Sequence, residues 1–207
     1  MLDTLDFTAV IIVFITLVIS ITLHEAMHAF AGYWLGDDTA KLEGRISLNP
    51  MRHVDPVYTI LMPMITLLLF RVPLLAAKPV PFNPARVKYD EYGAAMIAFA
   101  GPLTNLLLAA AAAGVVNVVQ GSLGADGLRI FGIFIIINIG IFVFNMIPIP
   151  PLDGSRVLYA FAPDALRNLM AQLEQFGIII IFALILAVPA FGQFLSQLNS
   201  WVLNFLL

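Results

Sequence analysis

His24, Glu25 and His28 stand together in the run HEAMH, a pattern suited to metal-assisted hydrolysis. Two imidazoles four residues apart differ by about 40° around a helix and lie one turn apart, so both can reach one ion. Glu25 projects about 100° away from His24. There it can approach a water held by zinc and take its proton without displacing a ligand. The run lies within an apolar stretch, Phe7 to Leu35. Two His and a Glu are costly in lipid, so function is the default reading of them. The competing reading is a polar cluster that holds helices together.

Zinc that keeps one position for water needs a third protein ligand. The candidate is Asp153, in NMIPIPPLDGSRVL at residues 145–158. Pro148, Pro150 and Pro151 interrupt an apolar helix, and Asp153 follows where helix can resume. A carboxylate near a helix N-terminus is stabilised in its ionised, ligating form. Gly154 gives the backbone room at the turn, and carbonyls freed by the prolines favour local hydration. On this motif alone, a metal ligand and a plain helix cap outside the membrane are equally good readings.

The two motifs together are far more specific. HEAMH in a first membrane helix, followed by NMIPIPPLDG near the end of a later one, resembles the site-2 protease family of intramembrane metalloproteases. His24, Glu25, His28, Asn145, Pro148, Pro150, Asp153 and Gly154 match its HExxH and NxxPxPxxDG patterns. GPLTN at 101–105 resembles its GPxxN element, and GRISLNPMRHVDP (44–56) and AKPVPFNP (77–84) look like segments of its compact bacterial and archaeal branch. The resemblance covers roughly residues 20–160. It implies one zinc per chain held by His24, His28 and Asp153, with Glu25 as general base. It further implies a transmembrane protein as substrate and a prokaryotic cell membrane as location. PDZ-like and cystathionine-synthase-like segments are absent from the sequence, so the likeness is to the catalytic core.

Other polar residues have two readings each. Asn145 can donate to a substrate carbonyl or developing oxyanion, which is preferred, or make a helix-to-helix bond. For Asn105 the preference is reversed, with a structural bond ahead of a catalytic one. Gly101 and Pro102 are read as allowing close packing and a kink. His53, the remaining His, is expected to be exposed or bonded locally, and otherwise to fold back as an accessory ligand. Lys78–Pro84 is a Pro-rich re-entrant plug, or an extended edge that pairs with an unwound substrate.

These residues need elements to position them. A spanning helix takes about 20 mostly apolar residues, and candidates run over 7–35, 57–75, 92–119, 128–147 and 176–191. The tail from Phe191 is a short spanning or interfacial helix, broken by Gln193, Gln197 and Asn199. The expectation is an all-α polytopic membrane protein of five to six helices. Short strands are expected near 44–50 and 78–88. The chain reads as one membrane domain, 1–207, with a catalytic core over about 7–160 and C-terminal helices over about 170–207. The first six residues hold two Asp and no Lys or Arg, unlike a signal peptide.

Composition agrees. The chain is 61% hydrophobic and 11% charged, with a mean hydropathy of +0.97, against roughly 25% charged in soluble domains. Lipid is its natural solvent. A net charge of −3 with 10 scattered basic residues excludes a nucleic-acid partner. Without Cys there are no disulfides or thiolate ligands. Basic residues flank the second candidate helix on both sides, so orientation is undecided. Two other classes, a metal transporter and an inactive scaffold, fit the sequence less well. A divalent-metal transporter would need further ligands along a path, which the spans lack. An inactive scaffold would have no use for Glu25.

Overall fold

The computed structural model describes residues 6–54, 80–119 and 121–207, with Ile178 described by its backbone alone. Helix α1, Phe7–Trp34, opens on Asp6, whose side chain accepts from the Thr8 N–H at 2.9 Å. Its 28 residues reach about 42 Å at 1.5 Å per residue, longer than the roughly 30 Å of bilayer hydrocarbon. Thr16, Ser20, His24 and His28 are buried, while Ile11, Phe14 and Ile15 face outward. That is the arrangement expected of a helix whose polar stripe is costly to show to lipid. Gly36, at φ +102°, turns the chain where a side chain would be strained. The single-turn helix α2, Thr39–Leu42, follows.

Helix α3, Asp90–Val119, is the centre of the domain and packs against α1, α4 and α5. Its small residues, among them Ala94, Ala98, Gly101, Ala109 and Ala113, are buried, letting neighbouring backbones come close. Ala109, Ala112 and Ala113 meet Ile135, Ile139 and Val143 of α4 (Ala125–Asn145) and Val202 of α8 (Pro189–Leu206) in the main apolar cluster. After α4 the chain passes through three prolines to α5 (Asp153–Phe161), then α6 (Asp164–Glu174) and α7 (Gly177–Ala187).

Helices α1, α3 and α4 are long and apolar enough to cross a membrane; a fourth span is added if α6 and α7 form one broken crossing. They correspond to the first, third and fourth stretches read from the sequence. The second, 57–75, lies outside the described residues. The tail forms α8, 18 residues long, but its Gln and Asn residues leave it below the apolarity of a span.

The strands expected near 44–50 and 78–88 do not form among the described residues, 44–50 and 80–88. Among the described residues the alternation near 44–50 has no partner edge. Instead Arg45 Nη1 donates to the Arg52 carbonyl, and His53 Nε2 lies 2.8 Å from that of Ser47. These bonds curl the segment onto a 3-10 turn at Pro50–Arg52. In 80–88, Pro81 and Pro84 remove ladder donors, and a second 3-10 turn forms at Pro84–Arg86.

Candidate metal centre and active site

The helix turn between His24 and His28 brings their Nε2 atoms to 3.0 Å. Asp153 Oδ2 lies 3.2 Å from the first and 3.4 Å from the second. Among the described residues these three form the one cluster with metal-ligand geometry. Ligands at zinc–N and zinc–O lengths of about 2.0–2.2 Å on tetrahedral corners would stand about 3.4 Å apart. The observed edges fit.

The far sides of both imidazoles explain why the Nε2 atoms are available. His24 Nδ1 is 2.6 Å from Asn105 Oδ1, and His28 Nδ1 is 2.7 Å from the Ile97 carbonyl of α3. Both partners are acceptors, so each Nδ1 carries the proton and each Nε2 presents a lone pair. Two lone pairs and a carboxylate oxygen then converge on one point, a donor set that calls for a cation.

Backbone makes room for it. A Cβ at Gly101 would lie 2.4 Å from His28 Nε2 and 2.7 Å from His24 Nε2. Helix α3 therefore comes up bare against the ligand atoms. At the other end, a Cβ at Gly154 would lie 2.3 Å from the Met146 carbonyl oxygen. Glycine lets the start of α5 fold back on the end of α4, and Asp153 is thereby delivered to the helix carrying the histidines.

A cavity of about 770 Å³ opens beside the cluster. His24, Glu25, His28, Asn145 and Asp153 line it together with Val80 and Phe82. Glu25 is buried and lines the same cavity as His24, His28 and Asp153. Most of the wall is apolar. Arg156 and Glu174 also line it, paired at 2.6 Å and partly exposed.

Residues 112–188 match the sequence profile of peptidase family M50. Over 202 residues the chain is 36% identical to a protein of Bacillus subtilis (strain 168) named "Putative zinc metalloprotease YwhC", covering 91% of this chain and 82% of the relative. The chain belongs to peptidase family M50. Two proteins named "Putative zinc metalloprotease Rip2" are each 25% identical to it. That of Mycolicibacterium smegmatis aligns over 194 residues, 90% of this chain and 70% of its own. That of Mycobacterium tuberculosis (strain H37Rv) aligns over 183, 88% and 66%. No solved structure matches the chain.

As an M50 peptidase the chain is a metalloprotease of the site-2 protease type. Its other sequence-predicted residues take distinct places around the centre. Asn105 is fully buried behind His24. Asn145 faces the cavity while its Nδ2 donates to the Ile141 carbonyl at 3.0 Å. His53 is buried in its own loop, bonded to Ser47, and outside the cluster.

Asn138 is a further polar residue of the site, not singled out by motif or spacing. This fully buried side chain of α4 accepts from Asn105 Nδ2 at 2.9 Å and donates to the Phe134 carbonyl at 2.9 Å. Asn105 Nδ2 also lies 3.3 Å from the Ser20 carbonyl. Each bond points the same way, from His24 Nδ1–H outward, which fixes the orientation of both amides. A lone Asn in the run IIINIG was the available signal.

Proposed function

We propose that this chain hydrolyses peptide bonds in or near the transmembrane segments of membrane proteins, using one zinc ion held by His24, His28 and Asp153. The observation that carries the reading is the convergence of three ligand atoms, 3.0–3.4 Å apart, beside Glu25 in an apolar cavity. Zinc there would lower the pKa of a water and polarise the scissile carbonyl.

The protein's own groups do the rest. Glu25 takes a proton from the attacking water on a carboxylate oxygen and passes it to the leaving amine nitrogen. Asn105 and the Ile97 carbonyl hold the two imidazoles in the tautomer that leaves Nε2 free. Asn145 lies where its amide can meet the substrate backbone. The apolar wall excludes bulk water, which strengthens the electrostatic interactions inside. No Ser, Thr or Cys nucleophile is required. We place the protein as a multi-pass protein of a prokaryotic cell membrane, in keeping with its bacterial relatives.

The test uses purified protein in liposomes with a single-span substrate. Cleavage should stop on zinc chelation and return on zinc addition. Metal flux without cleavage would favour a transporter instead.

A further inference from the structure

Just past α1, Asp37 is only 1% exposed although it is an acid. Its Oδ1 accepts from the Thr39 N–H at 3.0 Å and the Thr39 hydroxyl at 2.5 Å. Its Oδ2 accepts from the Asn83 N–H at 2.6 Å, across 46 residues of sequence. Burial pushes the carboxyl up, but these hydrogen bonds hold it below the usual carboxylate range. Such charge-assisted bonds are stronger than neutral ones.

What the bond holds is part of the cleft. Asn83 is extended, at φ −108° and ψ 105°, as expected before a proline. Val80 and Phe82, two residues apart, line the cavity with His24, Glu25 and His28. Pro81 and Pro84 have no N–H, so only Phe82 and Asn83 can donate from the backbone of 81–84. Asp37 takes one of these two donors. The neighbouring anchors act farther along: the Lys88 N–H donates to the Leu35 carbonyl at 2.8 Å, and Arg86 pairs with Asp38. That pair is 53% and 46% exposed, so it adds little.

We propose that Asp37 is a positioning residue for proteolysis, clamping Val80–Asn83 to the end of the helix that carries His24, Glu25 and His28. Val80 and Phe82 then wall the cleft at a set distance from the reacting groups, and substrate binding depends on a carboxylate that never touches substrate. The proposal rests on the protease reading above.

The chain has no Cys, so Phe82→Cys is a single reporter for labelling by a water-soluble maleimide in liposomes. In that background Asp37→Asn leaves one acceptor oxygen where two served. It should raise the labelling rate roughly 10-fold, the order expected for losing a buried charged hydrogen bond. In the Cys-free chain, Asp37→Asn should keep its zinc and raise KM for a transmembrane substrate more than it lowers kcat. Unchanged labelling overturns the clamp, and so does faster labelling with KM and kcat both unaltered. If Asp37→Asn does not fold, Thr39→Val removes one donor to the same carboxylate and should raise labelling by a smaller factor; no rise overturns the proposal. Wild type that cleaves nothing would defeat the protease reading, while the labelling comparison would still decide the clamp.

Discussion

Gly101 of α3 stands against His28 of α1 so closely that a methyl on its Cα would come within 2.4 Å of the imidazole Nε2. The same methyl would be 2.7 Å from His24 Nε2, in the space the two ligand atoms face. Close helix packing, read from the sequence as the purpose of this glycine, is thus also what keeps the proposed metal site open.

Gly101→Ala is therefore expected to weaken zinc binding by about 10-fold or more, since overpacking at a rigid site costs about 1–3 kcal/mol. Competition with a zinc-sensitive dye reads the affinity. Unchanged affinity would mean that α3 can retreat without disturbing the ligands.

Asn105 accepts from His24, and its loss leaves a buried Nδ1–H unsatisfied. Asn105→Ala should lower zinc affinity roughly 10–100-fold, the usual range for a group that orients a ligand. Asn138→Ala, one bond farther out, should have the same sign and a smaller size. Equal effects from the two would show that the amides act on helix packing and not on the imidazole.

Asp153, on a different element from the two histidines, would supply the third ligand atom of the proposed zinc site. Asp153→Ala should bring zinc content well below one per chain while helicity by circular dichroism is kept. Full zinc retention would reduce Asp153 to a helix cap, the reading its motif alone left open.

His53 is 3% exposed, its Nε2 bonded to Ser47 and its Nδ1 buried without a partner among the described residues. His53→Ala should leave zinc content unchanged and cost about 1 kcal/mol of stability through the lost bond. Thermal unfolding measured alongside zinc analysis separates the two effects, and loss of zinc would make His53 a ligand.

The helical parts of this site were legible because local spacing determines them. A step of four residues from His24 to His28 is about one turn in any helix, and the apolar runs of α1, α3 and α4 announce themselves by length. What joins different helices was not. The pairing of Asn105 with His24 and Asn138 depends on how α1, α3 and α4 are set against one another, which spacing within one helix does not encode. Asn138 could be noticed as polar in an apolar run, but its partner could not be named. Asp37 reads as an ordinary turn residue; its bond to Asn83 is visible only once the chain has folded back. Of the strands expected near 44–50 and 78–88, the described parts, 44–50 and 80–88, do not form, for a related reason. Alternation describes a strand's faces, yet a strand also needs an edge to pair with, and proline denies the second segment its donors.

Zinc is expected to stay bound without the Glu25 carboxylate, and peptide hydrolysis to require that carboxylate. Zinc content and cleavage of a transmembrane substrate, read on one preparation of Glu25→Gln, address both halves. Glu25→Gln is expected to carry about one zinc per chain with cleavage reduced at least about 10²-fold, the lower bound for losing a general base. Cleavage at the wild-type rate with zinc in place would contradict it.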